Sequence, residues 1–225
     1  MRYGLELAAT RLAEARLRGV GSEPVGPEGP ASIDDALAVQ WRVLEILQER
    51  TAGWKCSVPS GDRMIVAPLP ASTIQRGTMC AITPQNGLAL FEPEVAFVLG
   101  QDLPPRQEPY SAEETRSAIR ETRIVLELMG TRYRDHASIH YFEALADSFR
   151  NAGLLVGPEI PAGLDAPLES FHLQVRSAVT TLVDRPVDHP NGHPLRPLVW
   201  LANFLSSRGQ SLSAGQIIKI GRAHV

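Results

Sequence analysis

Phe91-Glu92-Pro93-Glu94-Val95-Ala96-Phe97-Val98-Leu99 is the stretch on which the reading of this chain turns. It has the composition of a β-strand, yet it opens with two carboxylates two positions apart. Side chains at i and i+2 of a strand share a face, so Glu92 and Glu94 stand side by side ahead of an apolar run that calls for burial. Two carboxylates at the edge of a core repel each other unless a proton or a cation sits between them. A hard divalent ion such as Mg²⁺ resolves the repulsion, because it takes oxygen ligands. A solvated strand end resolves it too, since glutamate is mostly exposed. The stretch alone leaves both open.

Working outward, Arg123 to Met129 reads as a second buried strand. Val125, Glu127 and Met129 share a face by period two, which sets a carboxylate in an otherwise apolar element. A buried carboxylate without a partner is costly, so Glu127 needs a cation or a hydrogen-bond cluster and becomes the third candidate. Three glutamates from two strands can form an all-oxygen set with open positions for substrate and water. That set suits Mg²⁺ or Mn²⁺, whereas zinc sites usually contain His or Cys.

Other residues carry two readings each. Lys55, between Trp54 and Cys56, is either a snorkelling lysine with a wet ammonium or a cation for an anionic substrate or a proton transfer. The run Gly130-Thr131-Arg132-Tyr133-Arg134-Asp135 follows the Glu127 strand directly and is, structurally, a loop with an Arg–Asp pair. Asp147, Ser148 and Asn151 are turn or cap types by default. His193 before Pro194 fits a helix entry better than a ligand. All six histidines lie at or after His136, and the sequence contains no Gly-rich phosphate loop, Gly-x-Ser-x-Gly elbow or CxxC.

The bulk numbers narrow the class. At 225 residues, 44% hydrophobic and 21% charged, the chain is long and apolar enough for a large core without staples. A net charge of −3 with dispersed basic residues gives no footprint for nucleic acid. Cys56 and Cys80 lack metal-type spacing and fit a disulfide or two free thiols equally. No run approaches the roughly 18 apolar residues of a membrane-spanning helix. Met1 to Glu6 opens no secretory signal, so the cytoplasm is the expected compartment.

Along the chain, apolar spacing predicts a helix over 4–18 capped by Gly19, a Gly- and Pro-rich loop over 21–30, and a second helix over 33–49 that Ser32 and Asp35 begin. These helices form an N-terminal arm over residues 1–50. From Thr51 to 225 the texture changes to short strands between Pro, Gly and Asn. A helix near 111–120 opens on Ser111 and Glu114, a hairpin covers Leu173 to Val183, a helix runs from Pro194 to Arg208, and a last strand starts at Gln216.

Five motifs then stand in order: Gly-x-Lys at 53–55, Glu-x-Glu with its apolar strand at 92–99, Glu-x-x-Gly-Thr-Arg-x-Arg-Asp at 127–135, Ala-Asp…Gly at 146–157, and Gly-His-Pro-Leu…Trp-Leu-Ala-Asn at 192–203. Together they resemble the 2-keto-4-pentenoate hydratase and 4-oxalocrotonate decarboxylase branch of the fumarylacetoacetate hydrolase superfamily, over nearly the whole chain. The resemblance implies an α+β fold with a mixed β-sheet or barrel core of the superfamily's C-terminal-domain type. It implies Mg²⁺ or Mn²⁺ on Glu92, Glu94 and Glu127, and a small 2-oxo acid substrate chelating that ion. Lys55 and Asp147 become the catalytic candidates, and Arg132, Ser148 and Asn151 the substrate-binding ones. The implied activity is a hydro-lyase adding water to a 2-hydroxy-2,4-dienoate in aromatic-compound catabolism, in a homo-oligomer with no nucleic-acid or membrane partner. The alternatives are a 4-oxalocrotonate-type decarboxylase, a C–C hydrolase, whose usual upstream histidine is missing here, and a non-catalytic partner subunit.

Two departures accompany the resemblance. Relatives usually carry a Gly-x-Leu with a nearby acid between the lysine and the paired glutamates. This chain instead reads Val66-Ala67-Pro68-Leu69-Pro70-Ala71-Ser72-Thr73-Ile74-Gln75-Arg76-Gly77. Relatives also continue past the last strand with about one more strand pair. Here Ile220-Gly221-Arg222-Ala223-His224-Val225 match the translation of ATC GGA AGA GCA CAC GTC, a common sequencing-adapter read. The expectation is a C-terminally truncated reading frame with an artefactual tail over 220–225.

Overall fold

The computed structural model describes residues 1–221 apart from residues 86 and 177. In chain order the elements are α1 (Tyr3–Arg18), α2 (Ile33–Leu47), β1 (Thr51–Cys56), β2 (Val66–Pro70), β3 (Ile74–Arg76), β4 (Leu90–Leu99), α3 (Ala112–Ser117), β5 (Ile119–Met129), α4 (Tyr141–Ala146), β6 (Asn151–Glu159), β7 (Ser170–Arg176), β8 (Thr181–Asp188), α5 (Leu195–Ser206) and β9 (Ile217–Ile220). Helices accompany strands that pair antiparallel in β4–β9 and β7–β8, which is the α+β class. Seven strands form one sheet in the order β2-β1-β9-β4-β5-β6-β3, and β7 and β8 form a separate two-stranded sheet.

Two compact units emerge from the packing. The first gathers Met1–Lys55, Ile65–Phe91 and Glu127–Leu155. Its helix α1 ends where Gly19 turns left-handed (φ 67°) and its N–H reaches the Ala15 carbonyl at 2.9 Å. Leu5, Ala8, Ala9 and Leu12 are buried, and α1 packs on α2. The Ser32 hydroxyl accepts from the Asp35 N–H at 3.1 Å, which starts α2 at the expected place. From α2, Gln40 points inward and its Nε2 donates to the carbonyls of Val66 (3.1 Å) and Leu145 (2.6 Å). Trp41 meets Trp54 of β1 edge-on at 5.6 Å.

The second unit gathers Cys56–Met64, Glu92–Leu126 and the residues from Val156 onward. Its centre is β4, whose residues Val95–Leu99 are all buried, paired antiparallel with β9 in the register Val95↔Ile220 to Val98↔Ile217. Helix α5 covers β9 and α3 with Leu198, Leu201, Ala202 and Leu205. The Leu195 N–H donates to His193 Nδ1 at 3.1 Å, so His193 does sit at a helix entry. Helix α3 opens with a reciprocal cap between Ser111 and Glu114.

Local details differ from expectation or add to it. The segment 66–77 holds two strands, β2 and β3, and β2 carries Pro68 and Pro70 at a sheet edge, where a missing N–H breaks no ladder. β5 begins at Ile119, so α3 stops at Ser117 rather than near 120. The hairpin runs from 170 to 188, longer than 173–183. Ile220 is buried within β9, while residues 222–225 of the expected artefactual tail lie outside the described residues.

Candidate metal centre

β4 delivers Glu92 and Glu94 just ahead of its buried run, Glu92 half-buried and Glu94 with its side chain out of water. Glu127 lies two residues before the end of β5 and is wholly buried. One carboxylate oxygen from each of Glu92, Glu94 and Glu127 lies within 4.8 Å of the others. Among the described residues these three are the group of acidic, histidine or cysteine side chains that could share an ion.

The two buried carboxylates each hold an ammonium. Lys55 Nζ, from β1, donates to Glu127 Oε1 at 2.7 Å and to the Phe149 carbonyl at 3.1 Å. Asn151 Nδ2, at the start of β6, donates to the same Glu127 oxygen at 2.8 Å and to the Gly153 carbonyl at 3.4 Å. Lys219 Nζ, from β9, donates to Glu94 Oε2 at 2.6 Å, with both side chains at or below 1% exposure. Lys55 therefore is not the snorkelling surface lysine of its bland reading.

The segment before Asn151 is strained. Ser148, Phe149 and Arg150 have φ of 55°, 46° and 64°, three consecutive non-glycine residues in the left-handed region. Each such residue costs about 1–3 kcal/mol and persists only where its surroundings over-determine it. Here the Phe149 carbonyl faces the Lys55 ammonium, its ring meets Tyr141 at 5.7 Å, and Asn151 is anchored on Glu127.

Arg132 and Asp147 are buried and engage each other. The Arg132 guanidinium donates from Nε to Asp147 Oδ1, from Nη2 to the Asp147 carbonyl at 2.6 Å, and from Nη1 to the Gly130 carbonyl at 2.5 Å. Asp147 Oδ2 also accepts from the Arg132 N–H at 3.2 Å and the Thr131 hydroxyl at 3.3 Å. Ser148 is buried beside them. Lys55, Glu127, Phe149 and Asn151 thus form one cluster, and Arg132 and Asp147 form another, one step along the same loop.

Both cysteines are free. Burial pushes the Cys56 thiol up, with Glu94 adding to the rise against the pull of Lys219, so Cys56 is a packing group rather than a nucleophile. A cleft of about 680 Å³ in the first unit is lined by Arg16, Gln75, Gln85, Thr131, Arg132 and Ala152 among others, and by none of the three glutamates. Sequence reasoning missed Lys219 and the Phe149 carbonyl. The signal for the first was a lysine between isoleucines, Ile218-Lys219-Ile220, in a strand short enough to be buried throughout.

No protein-family model matches the chain. Over 133 residues it is 33% identical to a 2-keto-4-pentenoate hydratase of Paraburkholderia xenovorans (strain LB400), a match covering 58% of this chain and 47% of that protein. The 2-keto-4-pentenoate hydratase 3 of Pseudomonas putida matches to the same extent. The chain spans about half the length of the curated relatives it matches. Among solved structures, 4-oxalocrotonate decarboxylase from Pseudomonas putida G7, complexed with magnesium and adipate, superposes with a TM-score of 0.76 at 19% identity, over 99% of this chain and 88% of that one. The chain has the fold of that decarboxylase. In sequence it is similar to the 2-keto-4-pentenoate hydratases. Fumarylpyruvate hydrolase from Pseudomonas aeruginosa, in complex with Mn²⁺ and pyruvate, is more distant, with a TM-score of 0.50 at 13% identity over 78% of this chain and 81% of that one. Among the described residues no helix is long and apolar enough to cross a membrane.

Proposed function

We propose that this chain is a divalent-metal-dependent hydro-lyase that adds water to a 2-hydroxy-2,4-dienoate, giving a 4-hydroxy-2-oxo acid. The observation that carries the reading is the convergence of three carboxylate oxygens, two from buried glutamates, with no His or Cys among them. Their chemistry fits Mg²⁺ or Mn²⁺, which take hard oxygen donors. Glu92, Glu94 and Glu127 would hold the ion, and a bound ion supplies Lewis-acid stabilisation of negative charge developing on the substrate's 2-oxygen.

The chain's own residues do the rest. Lys55 brings a positive charge into a dry site, where it draws the anionic substrate and can hold a proton for transfer. Asn151 fixes the rotamer of Glu127 through Oε1, and the strained turn at 148–150 aims the Phe149 carbonyl at Lys55, so the ammonium is oriented before substrate arrives. Arg132 and Asp147 are committed to each other, so we assign them to holding the 130–132 and 147–151 segments in place, Ser148 included. The dienoate is a conjugated enol, so a proton delivered to its far carbon gives the enone that water then attacks.

The second reading is decarboxylation of a 4-oxalocrotonate-type substrate, favoured by the structural likeness along 99% of the chain. Both reactions need the same charge stabilisation. The deciding measurement is the loss of dienoate absorbance by the purified chain with Mg²⁺ or Mn²⁺, read with and without release of carbon dioxide. Loss without carbon dioxide supports the hydratase; loss with it supports the decarboxylase. No turnover of either substrate class, with metal present and the protein folded, sinks both. A homo-oligomer is the assembly we propose, checked by light scattering on the same sample.

A further inference from the structure

Lys219 has no part in the chemistry just described, yet it is among the most buried side chains in the protein. Antiparallel pairing sets it opposite Ala96, and period two puts Ala96 on the same face of β4 as Glu94. Its ammonium lies 2.6 Å from Glu94 Oε2, the lysine 1% and the glutamate 0% exposed. An ammonium with that little access to water needs an anion, and a carboxylate so buried needs a cation. Lys219 supplies a counter-charge to Glu94 through Oε2 without any metal, while Glu94 Oε1 is buried with no hydrogen-bond partner among the described residues.

We propose that Lys219 is an internal counter-cation that competes with the divalent ion for Glu94, stabilising the metal-free protein at the expense of metal affinity. The inference rests on the metal reading above. To use Glu94, an incoming ion must share the carboxylate with a positive charge that cannot retreat into water. Repulsion between a divalent ion and a fixed ammonium a few ångströms away is large in a dry site. The same lysine gives Glu94 a counter-charge when the ion is absent.

The test is Mn²⁺ and Mg²⁺ binding by isothermal titration calorimetry, with melting temperature as a second readout, on wild type, Lys219→Met and Lys219→Arg. Lys219→Met is expected to bind either ion at least about tenfold more tightly. Its metal-free melting temperature should fall and its metal-induced rise should grow. Lys219→Arg, whose guanidinium can grip the carboxylate with two donors, is expected to bind more weakly than wild type. If Lys219→Met does not fold without metal, Lys219→Arg decides alone: affinity equal to or above wild type overturns the inference. Wild type that binds metal while Lys219→Met binds no more tightly also overturns it, and leaves the metal reading standing. No binding by any of the three proteins removes the metal reading and this inference together.

Discussion

Lys55 Nζ stands 2.7 Å from Glu127 Oε1, and both side chains are closed off from water. Removing one partner of a buried pair leaves the other as an uncompensated charge, at a cost of about 3–5 kcal/mol. Lys55→Met is therefore expected to lose that much stability in urea denaturation, as well as its activity. Lys55→Met combined with Glu127→Gln should recover part of the stability and none of the activity. A Lys55→Met protein as stable as wild type contradicts the pairing.

Metal addition and removal give the second prediction. A ligand that binds only the native state stabilises it by about 2.7 kcal/mol at a hundredfold excess over its dissociation constant. For a chain of this size that raises the melting temperature by about 2–4 °C per kcal/mol. Mg²⁺ or Mn²⁺ should produce the rise in wild type and chelation should reverse it. Glu127→Ala should show no response, and a full response in that variant removes Glu127 from the ligand set.

Gln40 is a structural counterpart to these charged contacts. One side-chain nitrogen satisfies the carbonyls of Val66 and Leu145, in a buried setting. Gln40→Leu keeps the volume and leaves both carbonyls without that donor, at a cost of about 1–3 kcal/mol. The expected result is a lower urea midpoint with an unchanged slope. An unchanged midpoint means that those carbonyls find other partners.

Acid stability depends on Glu114. The Arg106 guanidinium, followed by the Ser111 cap, holds its carboxyl down at about 2. A carboxyl depressed in the folded state contributes stability that is fully present above its unfolded value. That contribution fades as pH falls through the folded one. Melting temperatures of wild type and Glu114→Gln should therefore differ at neutral pH and converge between about pH 4.5 and 2. A gap that persists unchanged through that window assigns the effect to the neutral cap geometry instead.

Much of the scaffold was legible because local rules decide it. Gly19, Ser32 and the Ser111–Glu114 pair each mark a helix end at the residue where the structure turns, and Phe91–Leu99 is a strand whose apolar half is buried. The candidate site was legible in its acids, because a glutamate inside an apolar strand such as β5 has few physical excuses. What escaped depends on distant partners. Lys219 meets Glu94 across 125 positions, and no spacing in the sequence signals that pairing. The Phe149 carbonyl escaped because a left-handed run of Ser, Phe and Arg is the opposite of what residue type predicts, and tertiary contacts impose it. The strands at 66–76 escaped because prolines ordinarily demote a strand, a rule that an edge position relaxes.

The sheet order has a consequence for how the protein is made. Among the described residues β9 follows every other strand of its sheet in sequence, yet it lies between β1 and β4 rather than at an edge. During synthesis, every other strand of that sheet leaves the ribosome before the strand that joins two of them exists. Until then β1 and β4 each expose a hydrogen-bonding edge. Such late closure by non-local pairing is slow and favours wrong partners, including the same strands on a neighbouring nascent chain. Yield in a cell should accordingly respond to chaperone supply and growth temperature more than the finished fold's stability suggests.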